Sequence, residues 1–309
     1  MKKILLSLTL ALSIGISFAC INEYTTLLSG DVVFGEHTEG RVWPKKIDTT
    51  SLASLSEELS AAYDSTGSIE AYSDYAAALV YLGEYQTAKK VYEEIESIQP
   101  NLYTTASNLG TIYELIGKPD SALIWIERAI ALNPESHGGS EWIHIKILEF
   151  KLYKDADIQS SILGLDFGDS AIPSNPHQYD LQELERQIKH QLRERITLVK
   201  PKNQIVGNLC FDYGNIVAQT LNIESALESY ALAQEYGFES ELMTARIAAF
   251  KEMTGKAERL NLQENAKKYV SLNSDIILPI MGVGVVAFLV LFLLLIRRRI
   301  NKSREKRTA

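Results

Sequence analysis

The stretch from Leu102 to Pro134, LYTTASNLGTIYELIGKPDSALIWIERAIALNP, leaves little freedom in how it can fold. Leu109, Gly110 and Tyr113 fall on one face of a first helix. Gly117-Lys118-Pro119-Asp120 breaks the helical pattern, and Pro119 suits the opening turn of a second helix. Ala122, Ile126 and Ala129 recur at helical spacing until Asn133-Pro134 stops the run. Small residues at Gly110, Ala122 and Ala129 let the two backbones approach closely, while Tyr113 and Ile126 fill the space between them. The pattern predicts an α-helical hairpin.

Thirty-four residues upstream the chemistry repeats, with Tyr75-Ala76, Leu79, Gly83, Ala88, Tyr92 and Pro100 replacing Leu109-Gly110, Tyr113, Gly117, Ala122, Ile126 and Pro134. Downstream, Ile143, Ile147 and Ala156 stay in register, but His144 replaces the small residue and no Gly or Pro returns. A second register carries Tyr213-Gly214, Val217, Ala226, Tyr230 and Ala233, followed by Ile247-Ala248 and Gly255. These positions resemble the tetratricopeptide repeat (TPR), whose unit carries a Leu-Gly, a Tyr, two Ala and a closing Pro at these offsets. The resemblance is close over residues 69–134, weaker over 205–237 and faint over 137–166 and 239–271. It implies an all-α, TPR-like α-solenoid, because one repeat cannot bury its apolar face alone.

The two ends carry different signals. Residues 1–19, MKKILLSLTLALSIGISFA, read as a signal peptide, with two lysines, an apolar run and small residues before the cut. Residues 276–296 contain no charge and at about 1.5 Å per residue are long enough for one C-terminal transmembrane helix. The tail, 297–309, is rich in Arg and Lys, which predicts a cytoplasmic C-terminus and an exported body in the cell membrane, on the periplasmic side in a Gram-negative cell. Setting aside Lys2, Lys3, the seven tail cations and Glu305 leaves 22 basic against 38 acidic residues, a net charge of −16. So acidic a body disfavours nucleic acid and anionic lipid, and favours cationic partners.

Between these ends the expected order is an irregular extension (20–50), a TPR-like block (51–166), a loop and connecting helix (167–200) and a second TPR-like block (201–272). Leu52, Leu55, Leu59 and Ala62 mark a helix able to cap the first repeat. Gly164 to Asp180 has two Gly and two Pro and almost no periodicity, the best break in the chain. Leu181, Leu184, Ile188 and Leu192 mark a charged helix, in which Glu185 and Lys189 stand at favourable spacing. Cys20 opens the mature chain, as a lipidation site or as a simple cleavage product. Cys20 and Cys210 are the only cysteines, a candidate disulfide in an exported protein, with a core thiol at Cys210 as the alternative.

His137, Glu141 and His144 would share a helix face at metal-ligand spacing. Gly138-Gly139 argues against helix at His137, and the alternation of Ile143, Ile145 and Ile147 leaves a strand open. A half-buried His beside a packed Trp is the plainer reading. Catalytic motifs such as HExxH and GxSxG do not occur, so no enzyme and no cofactor are expected. The TPR resemblance implies a concave groove lined by Glu70, Ser73, Ala77, Val80 and Tyr81 and then Thr104, Ser107, Thr111, Glu114 and Leu115. With two Glu and no Lys or Arg, it suits a neutral or basic protein or peptide segment. The expected function is a non-catalytic, membrane-tethered scaffold in the cell envelope. The alternatives are a metal-binding or hydrolytic enzyme centred on His137, Glu141 and His144, and a structural subunit whose groove is filled by its own chain or a second copy. The oligomeric state stays open.

Overall fold

The computed structural model describes residues 24–34, 41–153, 158, 160–260, 262, 263 and 267. By internal contacts the chain divides into residues 1–254 and 255–309. In the first unit, β1 (Tyr24–Thr26) and β2 (Val32–Phe34) form an antiparallel hairpin. Helices follow: α1 (Thr49–Thr66), α2 (Ile69–Tyr81), α3 (Tyr85–Ile98), α4 (Tyr103–Leu115), α5 (Pro119–Leu132) and α6 (Glu141–Tyr153). After residues that include an irregular stretch come α7 (Leu181–Leu198), α8 (Gln204–Thr220) and α9 (Ile223–Glu235). Residues 241–254 are helical and form α10. In the second unit the described residues, 255–260, 262, 263 and 267, are helical.

The helix boundaries follow from local chemistry. Asp48, Ser68, Asp180, Asn203 and Asn222 each accept a hydrogen bond from an early backbone N–H of α1, α2, α7, α8 and α9, satisfying donors that the helix itself leaves open. Pro119 opens α5 at a position where its missing N–H costs nothing. Gly83 and Gly117 end α2 and α4 with φ of 84° and 75°. The next N–H reaches back five residues, from Glu84 to the Leu79 carbonyl and from Lys118 to that of Tyr113, each at 2.8 Å. That left-handed cap strains any residue with a Cβ, which explains the glycine recurring 34 residues on.

Packing follows the repeat. Ala88, Tyr92, Leu109, Ala122, Ile126 and Ala129 are buried, as the spacing predicts, whereas Tyr113, expected between the helices, is half-buried and its neighbour Ile112 takes the core position. A Cβ on Gly110 would stand 2.6 Å from Ile126 Cγ1, and one on Gly214 would stand 2.5 Å from Tyr230 Cδ1. In each hairpin a large second-helix side chain therefore lies directly on a glycine of the first. Gly110→Leu is expected to destabilise the body by about 1–3 kcal/mol through overpacking. Denaturant titration checks this, and an unchanged midpoint would mean that α4 and α5 do not meet there.

Several expectations need correction. The extension is not wholly irregular: it contains the β1–β2 hairpin, pinned where Glu224 of α9 accepts from Thr26 N and Oγ1. The alternation of Ile143, Ile145 and Ile147 does not make a strand, since all three lie in α6. After α6 no helix appears among the described residues before α7, so of the faint third repeat the described residues show only the first helix. Glu185 accepts from Thr220 Oγ1 at 2.6 Å, a tertiary contact in place of the expected pairing with Lys189. Cys210 is a free thiol at 0 % exposure in the core. Cys20, the leader, the apolar run at 276–296 and the tail lie outside the described residues. Among the described residues no helix is long and apolar enough to cross a membrane.

Candidate polypeptide-binding surface

The first-helix faces of the repeats carry the residues expected to line a groove, and the chain itself covers part of that face. Glu70 and Thr104 are exposed, and Ser73, Ala77, Tyr81, Thr111 and Leu115 are half-buried. Val80 and Ser107 are buried, and the side chain of Glu114 keeps only 7 % of its exposure. The occupant at the α4 end is α7. Arg195 Nη1 donates to both Glu114 carboxylate oxygens, at 2.9 and 3.1 Å. Leu115 and Leu198 pack against the same apolar core. At the α2 end Lys45 Nζ, which also pairs with Glu194 of α7, donates to Tyr81 Oη at 3.1 Å.

Glu114 lies in a chain of charges that ties three helices together. His144 Nε2 meets its Oε2 at 2.6 Å, and Lys151 Nζ donates to its Oε1 at 2.6 Å. The second ring nitrogen of His144 lies 3.6 Å from Glu141, which meets His137 Nδ1 at 2.9 Å and accepts from Ser107 Oγ at 3.2 Å. Burial by itself would raise the Glu114 carboxyl, but Arg195, His144 and Lys151 outweigh it and hold it well below the usual range. Glu141 is likewise raised by burial and lowered further by His137 and His144. The hydrogen bond to Glu141 in turn raises His137, against the opposing effect of burial.

The three candidate metal residues thus come together, though not on one helix. His137 sits in a 3₁₀ turn, Ser136–Gly139, with φ of 49°, and α6 begins only at Glu141. They are engaged with one another and with Glu114 through hydrogen bonds and close contacts, and among the described residues no set of His, Cys, Asp or Glu is arranged to hold a metal ion. Between α4, α6 and α7 remains a cavity of about 50 Å³, small beside the roughly 300–1,000 Å³ of sites for small molecules.

The α8–α10 block is filled in the same way, by the irregular segment before α7. Asn208 accepts from Ile162 N at 2.9 Å and donates to the Ser160 carbonyl at 3.1 Å. Four residues on, Asp212 accepts from Ser161 Oγ at 2.6 Å. Arg246 of α10, at 1 % exposure, donates to Asn215 Oδ1 at 2.7 Å, to the carbonyls of Phe167 and Ser170 at 3.2 and 3.1 Å, and to that of Gly168. Asn208, Asp212 and Asn215 share one face of α8: Asn208 bonds the segment's backbone, Asp212 its Ser161 hydroxyl, and Asn215 holds Arg246, which bonds the backbone in turn. Polar residues at helical spacing inside a buried run were the available sequence signal for this second face.

Burial pushes Asp212 up to about 7, although the Ser161 hydrogen bond and Arg246 pull it down. Its folded value lies above the ordinary 3.8. The preference for the protonated form therefore favours folding fully below that ordinary value, and is lost as pH rises through the folded one. Asp212→Asn is expected to stabilise the body relative to the parent above pH 7, with the advantage shrinking towards pH 4. Denaturation midpoints across that range check it, and a constant difference would show that Asp212 is not a buried neutral acid.

Two features now converge: paired helices with a 34-residue period, and a concave face that holds polypeptide. No curated protein matches the chain in sequence. Residues 69–102 and 104–136, the spans of α2–α3 and α4–α5, each match the tetratricopeptide repeat family. Residues 69–136 therefore form two tetratricopeptide repeats.

Proposed function

We propose that the chain is a non-catalytic scaffold, exported and tethered by residues 276–296, that binds another protein of the cell envelope. The observation that carries this reading is the concave face itself, where Glu114 and Tyr81 engage the cationic side chains Arg195 and Lys45. Such repeats generally bind protein, and here the bound polypeptide is basic at its contacts, as an acidic groove favours. The leader supports export, and the uncharged run followed by tail cations supports the tether. Because α7 occupies the groove near Leu115, a partner meets the outward surfaces first.

Crosslinking of the full chain in intact membranes tests the scaffold reading. A recurring second protein in the adducts is the expected result. A second reading, a structural subunit closed on itself, is favoured by the filled groove, and adducts containing only copies of this chain would support it. Protease added outside should digest residues 24–260 and spare the tail; the reverse pattern would overturn the topology.

A further inference from the structure

The outward side of α7 differs in charge from the body around it. Arg186, Lys189, His190 and Arg193 stand three or four residues apart and form one stripe, facing away from the buried stripe of Ile188, Leu192 and Ile196. Residues 41–44 run beside this stripe, and together they enclose an open cleft. Arg186 is engaged with Glu183 and with the Gly138 carbonyl, and Arg41 with Glu235. Lys189 and Arg193 are exposed and make no ion pair among the described residues. Arg186 is thus countered by Glu183 and Glu135, and Arg41 by Glu235 and Glu228, which leaves Lys189 and Arg193 as the outward cations of a body of net charge −16. Two nitrogens in the cleft lining, Arg41 Nε and His190 Nε2, are buried without a hydrogen-bond partner in the described structure. Trp43 is 55 % exposed, with the Arg41 guanidinium 4.8 Å from its ring centroid.

We propose that this cleft binds a short acidic segment of a partner protein, its carboxylates against Lys189 and Arg193 and an apolar side chain against Trp43. Lys189 and Arg193 supply the attraction, and an exposed indole beside them supplies the apolar anchor typical of interface centres. A membrane surface fits less well. Charges are screened beyond about 8 Å at physiological ionic strength, so a short segment meets the cleft alone, while an anionic bilayer also meets the acidic body around it. The cleft lies on the side of α7 away from Glu114. The proposal therefore goes beyond the scaffold reading and fails or stands without it.

The test is fluorescence anisotropy of the full chain in detergent with a fluorescein-labelled peptide of Glu-Glu-Leu repeats. A peptide with Gln for Glu serves as the comparison. Binding of the first and not the second is expected, weakening as salt rises. Lys189→Glu with Arg193→Glu should weaken binding about tenfold or more, and Trp43→Ala several-fold. Lys90→Glu, an equal change in kind on exposed α3, should weaken it far less. If the double reversal unfolds the protein, the Gln substitutions at both positions are read in its place, with a smaller loss expected. The proposal is overturned by no binding, or by an equal loss in Lys90→Glu. It is also overturned by binding to phosphatidylserine vesicles without binding to the peptide, or if the double variant abolishes only self-association.

Discussion

Glu114→Ala is expected to cost the folded body roughly 3–5 kcal/mol, the usual scale for removing one partner of a buried ion pair. Its carboxylate is the acceptor for Arg195 Nη1 and Lys151 Nζ and faces His144 Nε2. Removing it leaves the Arg195 guanidinium buried, and Arg195 Nε already lacks a partner. The loss should come from the stranded charge rather than from the missing contact. Arg195→Met in the same chain should therefore restore much of the stability, giving strong coupling in a double-mutant cycle. Urea titration of the four proteins measures it. Additive effects at these two sites would mean that α7 does not seat its charge on Glu114.

The pH dependence of this cluster has a defined sign. Glu114 and Glu141 are depressed in the folded state, below an ordinary value of 4.5. Their contribution is complete above that value and is lost as pH falls through the folded ones. The parent should therefore lose stability in acid below about pH 4, and Glu114→Ala should lose less over the same interval.

Arg246→Met should destabilise by about 3 kcal/mol, with the effect centred on residues 160–170. It removes the donor from three backbone carbonyls, each costing roughly 1–3 kcal/mol if left buried and unpaired. Relief from burying the guanidinium offsets part of that sum. Amide hydrogen exchange tests the location: protection of Ile162 and Leu163 should fall further than that of α4 or α5. Equal losses throughout would show that Arg246 supports the body generally and does not clamp this segment.

The repeat register was legible because it is local. Gly110 and Ile126 stand sixteen residues apart, the distance from one helix through a tight turn to the facing position on the next. Gly214 and Tyr230 have the same separation, so the second hairpin could be aligned without an alignment of relatives. Ser68, Asp180 and Gly117 mark ends through hydrogen bonds reaching only a few residues. Such terms act within a hairpin and leave a periodic trace in composition.

What fills the concave faces was not legible, because the deciding contacts are distant in sequence. Arg195 meets Glu114 across 81 residues, and Arg246 reaches the Phe167 carbonyl across 79. In the sequence, Arg195 belongs to a run of alternating charges that resembles a solvated helix. Only packing of the Ile188, Leu192 and Ile196 stripe turns Arg195 inward and Lys189 and Arg193 outward. Glu114 likewise appears as an open groove residue until α7 and α6 close over it. Helical periodicity determines which side of a helix is apolar. It carries no information about which element will cover that side, and that choice set both the filled groove and the cationic cleft behind α7.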